Sequence, residues 1–255
     1  MSTGLFSVSM QRRILSRLNR SRLIDNLVYT ARHGPARGLR RPGGMGWLPA
    51  FTPYRHEWHA EEAFLDALEW RDLTVYDVGG DQGLFSLFFA RRTGEHGKVV
   101  VFEPNPRSYS RIARNIALNG FKNVRLIPRG LGERRERVAF TYPADEPARG
   151  TARPAFVRGL RRRREAVNAE IDINSLDDEI REGGLPAPDF IKLDVEGYEY
   201  PALKGMAATL QDLRPRLSIE IHGNGDEDKL ANATQVVCLL EDAGYRIHHI
   251  ESGME

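Results

Sequence analysis

The chain has 255 residues, of which 41% are hydrophobic and 28% charged, and its formal net charge is +2. This composition is typical of a folded globular enzyme and argues against a fibrous, disordered or membrane-spanning protein, because no apolar run approaches the ~20 residues that cross a bilayer. The one cysteine, Cys238, excludes an intrachain disulfide and fits a reducing compartment, so we expect a cytoplasmic protein.

Residues 1–60 are interpreted as a basic, helical N-terminal extension. Nine arginines and one acidic residue lie among the first 41 residues, so the rest of the chain is net negative. Apolar residues such as Ile14, Leu18 and Val28 are spaced loosely as in an amphipathic helix. We expect this helix to pack across the domain; the alternatives are weak contact with a membrane surface and a site for an anionic substrate.

From Leu73 onward, short apolar runs alternate with helical patterns. We predict a strand in LTVYDVG, a helix in LFSLFFARRTG, a strand in KVVVFEP, a helix in PRSYSRIARNIALNG and a strand in NVRLIP. Strands that are apolar throughout and separated by helices indicate a mostly parallel sheet covered on both faces. The predicted architecture is therefore a doubly wound α/β fold.

The alternation breaks in an insertion at about residues 133–174. RVAFTY and VNAEIDI predict a β-hairpin, and the proline-rich and glycine-rich stretch between them carries four consecutive arginines, Arg161 to Arg164. The α/β pattern then resumes. It predicts a helix in SLDDEIREGG, a strand in PDFIKLDV, a helix in YEYPALKGMAATL, a strand in RLSIEIH, a helix around Cys238 and a strand in YRIHHI.

The segment YDVGGDQG lies between the first of these strands and the helix after it, where open parallel sheets bind nucleotides. Gly79, Gly80 and Gly83 allow the backbone to turn and to approach a ligand closely. Their spacing is not the G-x-G-x-x-G of dinucleotide-binding proteins, which argues against a nicotinamide-dependent dehydrogenase. The carboxylate of Asp77 would repel a phosphate and attract an ammonium group.

The strand KVVVFEP ends beside a second candidate cofactor site, formed by Glu103 and Asn105. A carboxylate at this strand end is well placed to accept hydrogen bonds from both hydroxyls of a ribose. Together with the glycine-rich loop, it describes a cofactor that has a ribose and a cationic or zwitterionic end but no pyrophosphate. S-adenosylmethionine has these features.

Five segments of the chain resemble the FkbM family of S-adenosylmethionine-dependent methyltransferases. They are DVGGDQGLFSLFFA, GKVVVFEPNPRSYSRIARNIALNG, INSLDDEI, PDFIKLDVEGYEYPALKGM and RPRLSIEIHG, and the resemblance covers roughly residues 74–250. The resemblance implies a Rossmann-like class I methyltransferase fold over residues 61–255 and O-methylation of a sugar, glycolipid or other small metabolite. Family members usually have alanine then asparagine where this chain has Gly80 and Asp81. The final antiparallel strand of this fold has little sequence to form from, so we expect a sheet without it.

Two later strand ends carry the candidate catalytic residues: Asp194 and Glu196 in IKLDVEG, and Glu220 and His222 in LSIEIHG. Period-two spacing sends each pair to one face of its strand, and neighbouring strands would bring the two pairs together. In one reading, His222 or Asp194 is a general base for the acceptor hydroxyl. In the other, Asp194, Glu220 and His222 bind a divalent cation such as Mg²⁺, which lowers the pKa of that hydroxyl. We prefer the metal-free reading because Mg²⁺ favours oxygen ligands, and we expect Lys192 to pair with Asp194.

The arginine-rich segments support an alternative function, the binding or modification of nucleic acid. The net negative remainder of the chain and the absence of a recognised RNA-binding motif argue against it, so we expect no nucleic-acid partner. Arg161 to Arg164 would instead receive an anionic or carbohydrate acceptor. The pair of histidines at His56 and His59, with Glu57 between them, fits the start of a helix better than a metal site.

Overall fold

The computed structural model describes residues 27–42, 60–143, 150–152, 166–250 and 252. The strands are β1 Val28–Thr30, β2 Arg40–Pro42, β3 Thr74–Val78, β4 Lys98–Phe102, β5 Val124–Ile127, β6 Gly130–Leu131, β7 Glu136–Pro143, β8 Ala166–Asn174, β9 Phe190–Leu193 and β10 Arg216–Ile219. The helices are α1 Ala60–Ala67, α2 Leu84–Thr93, α3 Pro106–Asn119, α4 Leu176–Gly183, α5 Glu199–Lys204 and α6 Asp226–Asp242, with a π-helical segment at Thr209–Leu213. None of the described helices is both long and apolar enough to cross a bilayer.

The central sheet has five parallel strands in the order β10-β9-β3-β4-β5. The chain builds outward from β3 to β4 and β5, then returns to add β9 and β10 on the other side of β3. In such a sheet a crevice opens at the carboxyl ends of the strands where the order reverses, here between β3 and β9. The prediction of a doubly wound, mostly parallel α/β fold is confirmed.

The strands are apolar throughout because both faces of the sheet are covered. On one face, Val75 and Val101 pack against Phe89 of α2. On the other face, Tyr76 packs in a second cluster with Leu203 of α5 and with residues of α4 and α6. Alternate residues of each strand therefore enter different apolar clusters, which explains the continuous apolar runs in the sequence.

The insertion forms the predicted hairpin. β7 and β8 pair in antiparallel register from Glu136 opposite Ile173 to Pro143 opposite Ala166, and the short β6 runs parallel to β8. Thr151, in the segment between the two hairpin strands, pairs with Thr141. Arg161 to Arg164 lie outside the described residues.

The described part of the N-terminal extension is a hairpin, which differs from the predicted helix at Val28. β1 pairs with β2 in antiparallel register. Ala36 and Leu39, in the segment that connects these two strands, are buried against Leu87 of α2. Here cross-strand pairing and burial on α2 override the loose helical spacing. Leu27, also expected in this helix, is exposed just before β1, whereas Ile14 and Leu18 lie outside the described residues, as do His56, Glu57 and His59.

The C-terminal segment YRIHHI is not a strand, so that prediction was wrong. The backbone N–H of Tyr245 bonds to the carbonyl of Leu240 at the end of α6, and the Tyr245 ring lies beside the guanidinium of Arg214. Tyr245 and Ile247 pack onto the apolar cluster instead of pairing with β10. Among the described residues, β10 is thus the last strand on its side of the sheet, and the strand predicted to follow it is not formed.

Candidate functional site

A cavity opens at the carboxyl ends of β3, β4 and β9. Four acidic residues line it, namely Asp81, Glu103, Asp194 and Glu196. No lysine, arginine or histidine is found among the described lining residues. The cavity therefore favours a ligand that carries positive charge.

The insertion hairpin supplies an apolar wall of this cavity. Phe140 of β7 and Ile171 and Ile173 of β8 line it, together with Tyr198 from the turn before α5. This role was missed at the sequence level, although the alternation of apolar and polar residues in NAEIDI marks Ile171 and Ile173 as one face of a strand. A flat apolar group such as a purine would suit this wall.

The glycines of the loop after β3 chiefly allow the chain to pack against itself. Gly79 lines the cavity and has a φ of 88°, and a Cβ there would lie 1.8 Å from the carbonyl oxygen of Asp194. A Cβ on Gly80 would lie 2.7 Å from Val101. Gly83, with a φ of 76°, precedes α2 and lies against α3. Neither Gly80 nor Gly83 lines the cavity, so their predicted ligand contact is replaced by a packing role.

Glu103 occupies the predicted position at the end of β4 and faces the cavity. It is 5% exposed, and its two carboxylate oxygens accept backbone N–H groups from Asp81 at 2.9 Å and Asn105 at 2.7 Å. Burial raises the pKa of Glu103 to about 8, against the effect of these two donors. Asn105 does not line the cavity: its side chain caps α3 by accepting the N–H of Arg107. Asn105 therefore helps to position Glu103 through its backbone N–H group, while its side chain caps the helix.

Asp77 was predicted to meet the cationic end of the ligand, but it does not line the cavity. It is 1% exposed and accepts a hydrogen bond from the hydroxyl of Ser86 in α2. Burial raises its pKa, which the charge of Lys192, its neighbour on β9, opposes. The position of Asp77 in β3 directs its side chain into the covered face of the sheet. Asp77 therefore stabilises the loop by connecting β3 to α2, the two elements that the loop joins.

Asp81 takes the place in the cavity that was predicted for Asp77. Its backbone adopts a φ of 47°, and its Oδ1 atom is buried without a hydrogen-bond partner among the described residues. Burial raises the pKa of Asp81 to about 6. An unpaired buried carboxylate oxygen is costly unless a ligand group satisfies it. The residue that departs from the family pattern is therefore the one suited to hold a cationic ligand group.

Asp194, Glu220 and His222 converge as predicted, because β9 and β10 are neighbouring parallel strands. The Nε2 atom of His222 lies 3.8 Å from Oδ1 of Asp194 and 3.5 Å from Oε1 of Glu220. Of these three residues only Asp194 lines the cavity.

Glu196 does not share a strand face with Asp194, which corrects the period-two prediction. β9 ends at Leu193, and Glu196 lies in the following turn with a φ of 50°. Its carbonyl accepts a hydrogen bond from the hydroxyl of Thr151 in the insertion. Glu196 lines the cavity and connects it to the insertion.

The orientation of His222 is set by Glu199, a residue that the sequence analysis missed. Glu199 is fully buried, and its Oε1 atom lies 2.9 Å from both Nδ1 of His222 and the backbone nitrogen of Gly197. Its other oxygen accepts the side-chain amide of Asn232 in α6 at 2.6 Å. In the sequence, Glu199 is only an acidic residue at the start of a helix. That pattern does not reveal that Glu199 contacts His222, 23 residues later in the chain.

The protonation of His222 argues against it as a metal-free general base. Burial opposes its charged form, but its interactions with Glu199 and Glu220 and the charges of Glu196 and Asp194 outweigh burial and raise the pKa of His222 to about 10. Near neutral pH the metal-free ring already holds its proton and cannot accept another. Of the two candidate bases, Asp194 is the one that remains.

Lys192 pairs with Asp194 as predicted. Its ammonium lies 3.0 Å from Oδ2 of Asp194, 3.7 Å from Oε1 of Glu61 in α1, and over the ring of Phe85. Burial works against its charge, but Asp194, Glu61 and Asp77 outweigh burial and raise the pKa of Lys192. Lys192 thus stays charged and fixes one oxygen of Asp194, which leaves the other oxygen toward His222.

A family model identifies the family of this chain, and known proteins with related sequences or structures are methyltransferases. The family model described as the methyltransferase FkbM domain matches residues 77–247. Methyltransferase sdnD of Sordaria araneosa is 29% identical over 196 residues, which cover 68% of this chain and 73% of that protein. Hexuronic acid methyltransferase AglP of Haloferax volcanii is 28% identical over 155 residues, which cover 61% of this chain and 58% of that protein. A crystal structure of methyltransferase FkbM from Methylobacillus flagellatus KT is 24% identical with a TM-score of 0.46, and the match covers 69% of this chain and 40% of that one.

Proposed function

The chain belongs to the FkbM family of S-adenosylmethionine-dependent methyltransferases, and on that premise we propose that it methylates a hydroxyl group of a sugar or other small metabolite. The observation that carries the proposal is that one cavity is lined by both Glu103 and Asp194. A carboxylate suited to a ribose and a carboxylate suited to accept a proton therefore share the same space.

The residues of the cavity fit the cofactor. Glu103 suits the ribose hydroxyls, the apolar wall around Phe140 and Ile171 suits the adenine, and the unpaired oxygen of Asp81 suits the ammonium of the methionine part. When bound, S-adenosylmethionine supplies a methyl group that transfers to the acceptor oxygen as its carbon–sulfur bond breaks. The acidic lining also favours the positive charge on the sulfur.

Asp194 is proposed to accept the proton that the hydroxyl loses. Lys192 holds one oxygen of this carboxylate, so the other is fixed in direction. General-base assistance of this kind contributes typically 10²–10⁴-fold in rate. Alignment of the acceptor oxygen, the methyl carbon and the sulfur can supply about 7–11 kcal/mol more.

The name of the Haloferax volcanii relative supports a sugar acid as a probe acceptor. An acceptor of this kind is anionic, and the sequence places Arg161 to Arg164 in the insertion, where we expect them to receive such a charge. The nucleic-acid alternative depends on Arg161 to Arg164, which lie outside the described residues, and on the N-terminal arginines, of which Arg32, Arg37, Arg40 and Arg41 are described. No observation in the described site favours it.

The proposal is tested by incubating the protein with methyl-labelled S-adenosylmethionine and a set of hexuronic acids, neutral sugars and a short RNA. We expect label in a sugar product that survives mild alkali, since methyl ethers resist alkaline hydrolysis and methyl esters do not. Label only in an alkali-labile ester would contradict transfer to a hydroxyl, and label only in the RNA would contradict a small-molecule acceptor.

The charge of Asp81 gives a pH prediction for cofactor binding. Because burial raises the pKa of Asp81 to about 6, the carboxylate ionises as the pH rises through that value and then attracts the cationic cofactor. We expect the affinity for S-adenosylmethionine to rise by roughly tenfold between about pH 5 and pH 7, in line with hydrogen bonds to charged groups. Calorimetric titrations over this range measure the effect.

Asp81→Asn is the matched control, since it keeps the shape of the side chain without its charge. The rise in affinity over the same pH range should be roughly tenfold smaller in this variant than in the wild type, and what remains reflects Glu103, whose pKa is about 8. An equally steep pH profile in the variant would show that another group carries the effect.

A further inference from the structure

We propose that Asp194, Glu220 and His222 form a site for a divalent cation at the edge of the methyl-transfer cavity. The binding of the ion is independent of the proposed function, whereas its role in catalysis rests on that function. The structure thus favours the second of the two readings of these residues, in which they act together on a metal ion.

The spacing of the three side chains suits a shared ion better than direct hydrogen bonds. Oδ1 of Asp194 and Oε1 of Glu220 lie 3.8 Å and 3.5 Å from Nε2 of His222. Hydrogen bonds between nitrogen and oxygen fall at about 2.7–3.2 Å, so neither contact is one. Two ligands that each lie about 2.1 Å from one ion are about 3.0–3.5 Å apart in octahedral or tetrahedral geometry. The three ligand atoms all lie within 4.8 Å of one another, so the side chains must move closer together to coordinate the same ion.

The second observation is the hydrogen bond on the far side of the His222 ring. Nδ1 lies 2.9 Å from the fully buried carboxylate of Glu199, which is outside the ligand set. Histidines that bind metals almost always donate their other ring N–H to such a group, which fixes the tautomer and aims the free nitrogen at the metal. Asn232 and the N–H of Gly197 hold Glu199 in turn, so Nε2 is held in the direction of the two carboxylates.

The charge around the site is the third observation. Asp194, Glu199, Glu220 and Glu61 supply four carboxylates, and Lys192 is the ammonium that contacts them. Even with a proton on both nitrogens of His222, this cluster stays two charges negative. A divalent ion in place of the Nε2 proton brings the cluster closer to neutrality.

The ligand types indicate which ion would bind. One imidazole nitrogen and two carboxylate oxygens suit a first-row divalent metal such as Mn²⁺ better than Mg²⁺, which prefers oxygen ligands throughout. Oδ2 of Asp194 is held by Lys192, so Asp194 would bind through Oδ1 alone. The side chain of Glu220 is 52% exposed, which leaves that side of the ion open to an acceptor hydroxyl. An ion there lowers the pKa of the bound hydroxyl, so its proton can pass to water and Asp194, with both oxygens engaged, need not accept it.

The test is a titration of the chelator-treated full chain with Mn²⁺, followed by the electron paramagnetic resonance signal of free Mn²⁺, without cofactor or acceptor. We expect one binding site in the wild type and at least tenfold weaker binding in His222→Ala and Glu220→Gln. Glu199→Gln should weaken binding 10–100-fold through the orientation of His222. Glu133→Gln, which changes a surface carboxylate paired with Lys204, is the control and should bind like the wild type.

Calorimetric titration of each variant with S-adenosylmethionine shows whether its cavity is intact. No Mn²⁺ binding by the wild type, or equal binding by His222→Ala and the wild type, would overturn the site. If methyl transfer to a hydroxyl persists in chelator while Mn²⁺ does not bind, the cation site alone fails. If Mn²⁺ binds but no hydroxyl is methylated, the proposed function alone fails.

Discussion

Above about pH 8, where Glu103 is ionised, we expect Glu103→Gln to weaken the binding of S-adenosylmethionine by at least about 100-fold, because hydrogen bonds to a charged group contribute about 1.5–3 kcal/mol each and a ribose makes two. Glu103 lines the cavity, and its position is fixed by the backbone N–H groups of Asp81 and Asn105. A glutamine can accept only through its single oxygen, so one of these N–H groups loses its partner as well. Calorimetric titration measures the loss directly.

Glu103→Asp provides the matched control for this variant. It keeps the charge and shortens the side chain by one methylene group, so we expect an affinity between those of the wild type and Glu103→Gln. Thermal unfolding of both variants shows whether the loop remains folded. Wild-type affinity in Glu103→Gln would remove this residue from the cofactor site.

The second large effect is expected at Asp194, where replacement by asparagine should lower kcat by about 10²–10⁴-fold. The amide cannot accept the hydroxyl proton, yet it keeps the size of the side chain. Asp194 contacts Lys192 and lies beside His222, whereas Glu103 is held by the backbone N–H groups of Asp81 and Asn105. We therefore expect the affinity for the cofactor to change by only a few-fold. Steady-state kinetics with a saturating acceptor, combined with calorimetry, separate the two effects.

Glu196→Gln distinguishes the two carboxylates that follow β9. Both residues line the cavity, but Glu196 lies on the turn that contacts the insertion. If Asp194 accepts the proton, kcat in Glu196→Gln stays within a few-fold of the wild type. The reverse pattern, with kcat lost in Glu196→Gln and kept in Asp194→Asn, would move the proton acceptor to Glu196.

The sheet and the Glu103 position could be predicted from the sequence because each depends on local pattern. Apolar strands separated by helices specify a parallel sheet, and parallel strands end at one edge, so Glu103, Asp194 and Glu220 are brought to the same side. Glycine-ended helices such as α3 add clear boundaries. These features need no knowledge of which side chains meet across the fold.

The remaining details of the site depend on tertiary contacts that sequence spacing does not encode. Asp77 in β3 and Asp81 in the loop after it are only four residues apart, yet Asp77 is buried with Ser86 while Asp81 lines the cavity. The strand prediction for Glu196 failed because β9 ends three residues earlier. Glu199 became visible only once α5 was placed against the turn that holds His222. In each case a hydrogen bond between distant residues, and not the local pattern, decides the role.

The most direct measurement is a crystal structure of the protein with S-adenosylhomocysteine, the stable product form of the cofactor. We expect its ribose hydroxyls on the carboxylate of Glu103, its adenine against the insertion hairpin and its sulfur facing Asp194. Such a complex would place the methyl group beside the proton acceptor. A ribose bound away from Glu103, or a sulfur at the opposite end of the cavity from Asp194, would contradict the proposed site.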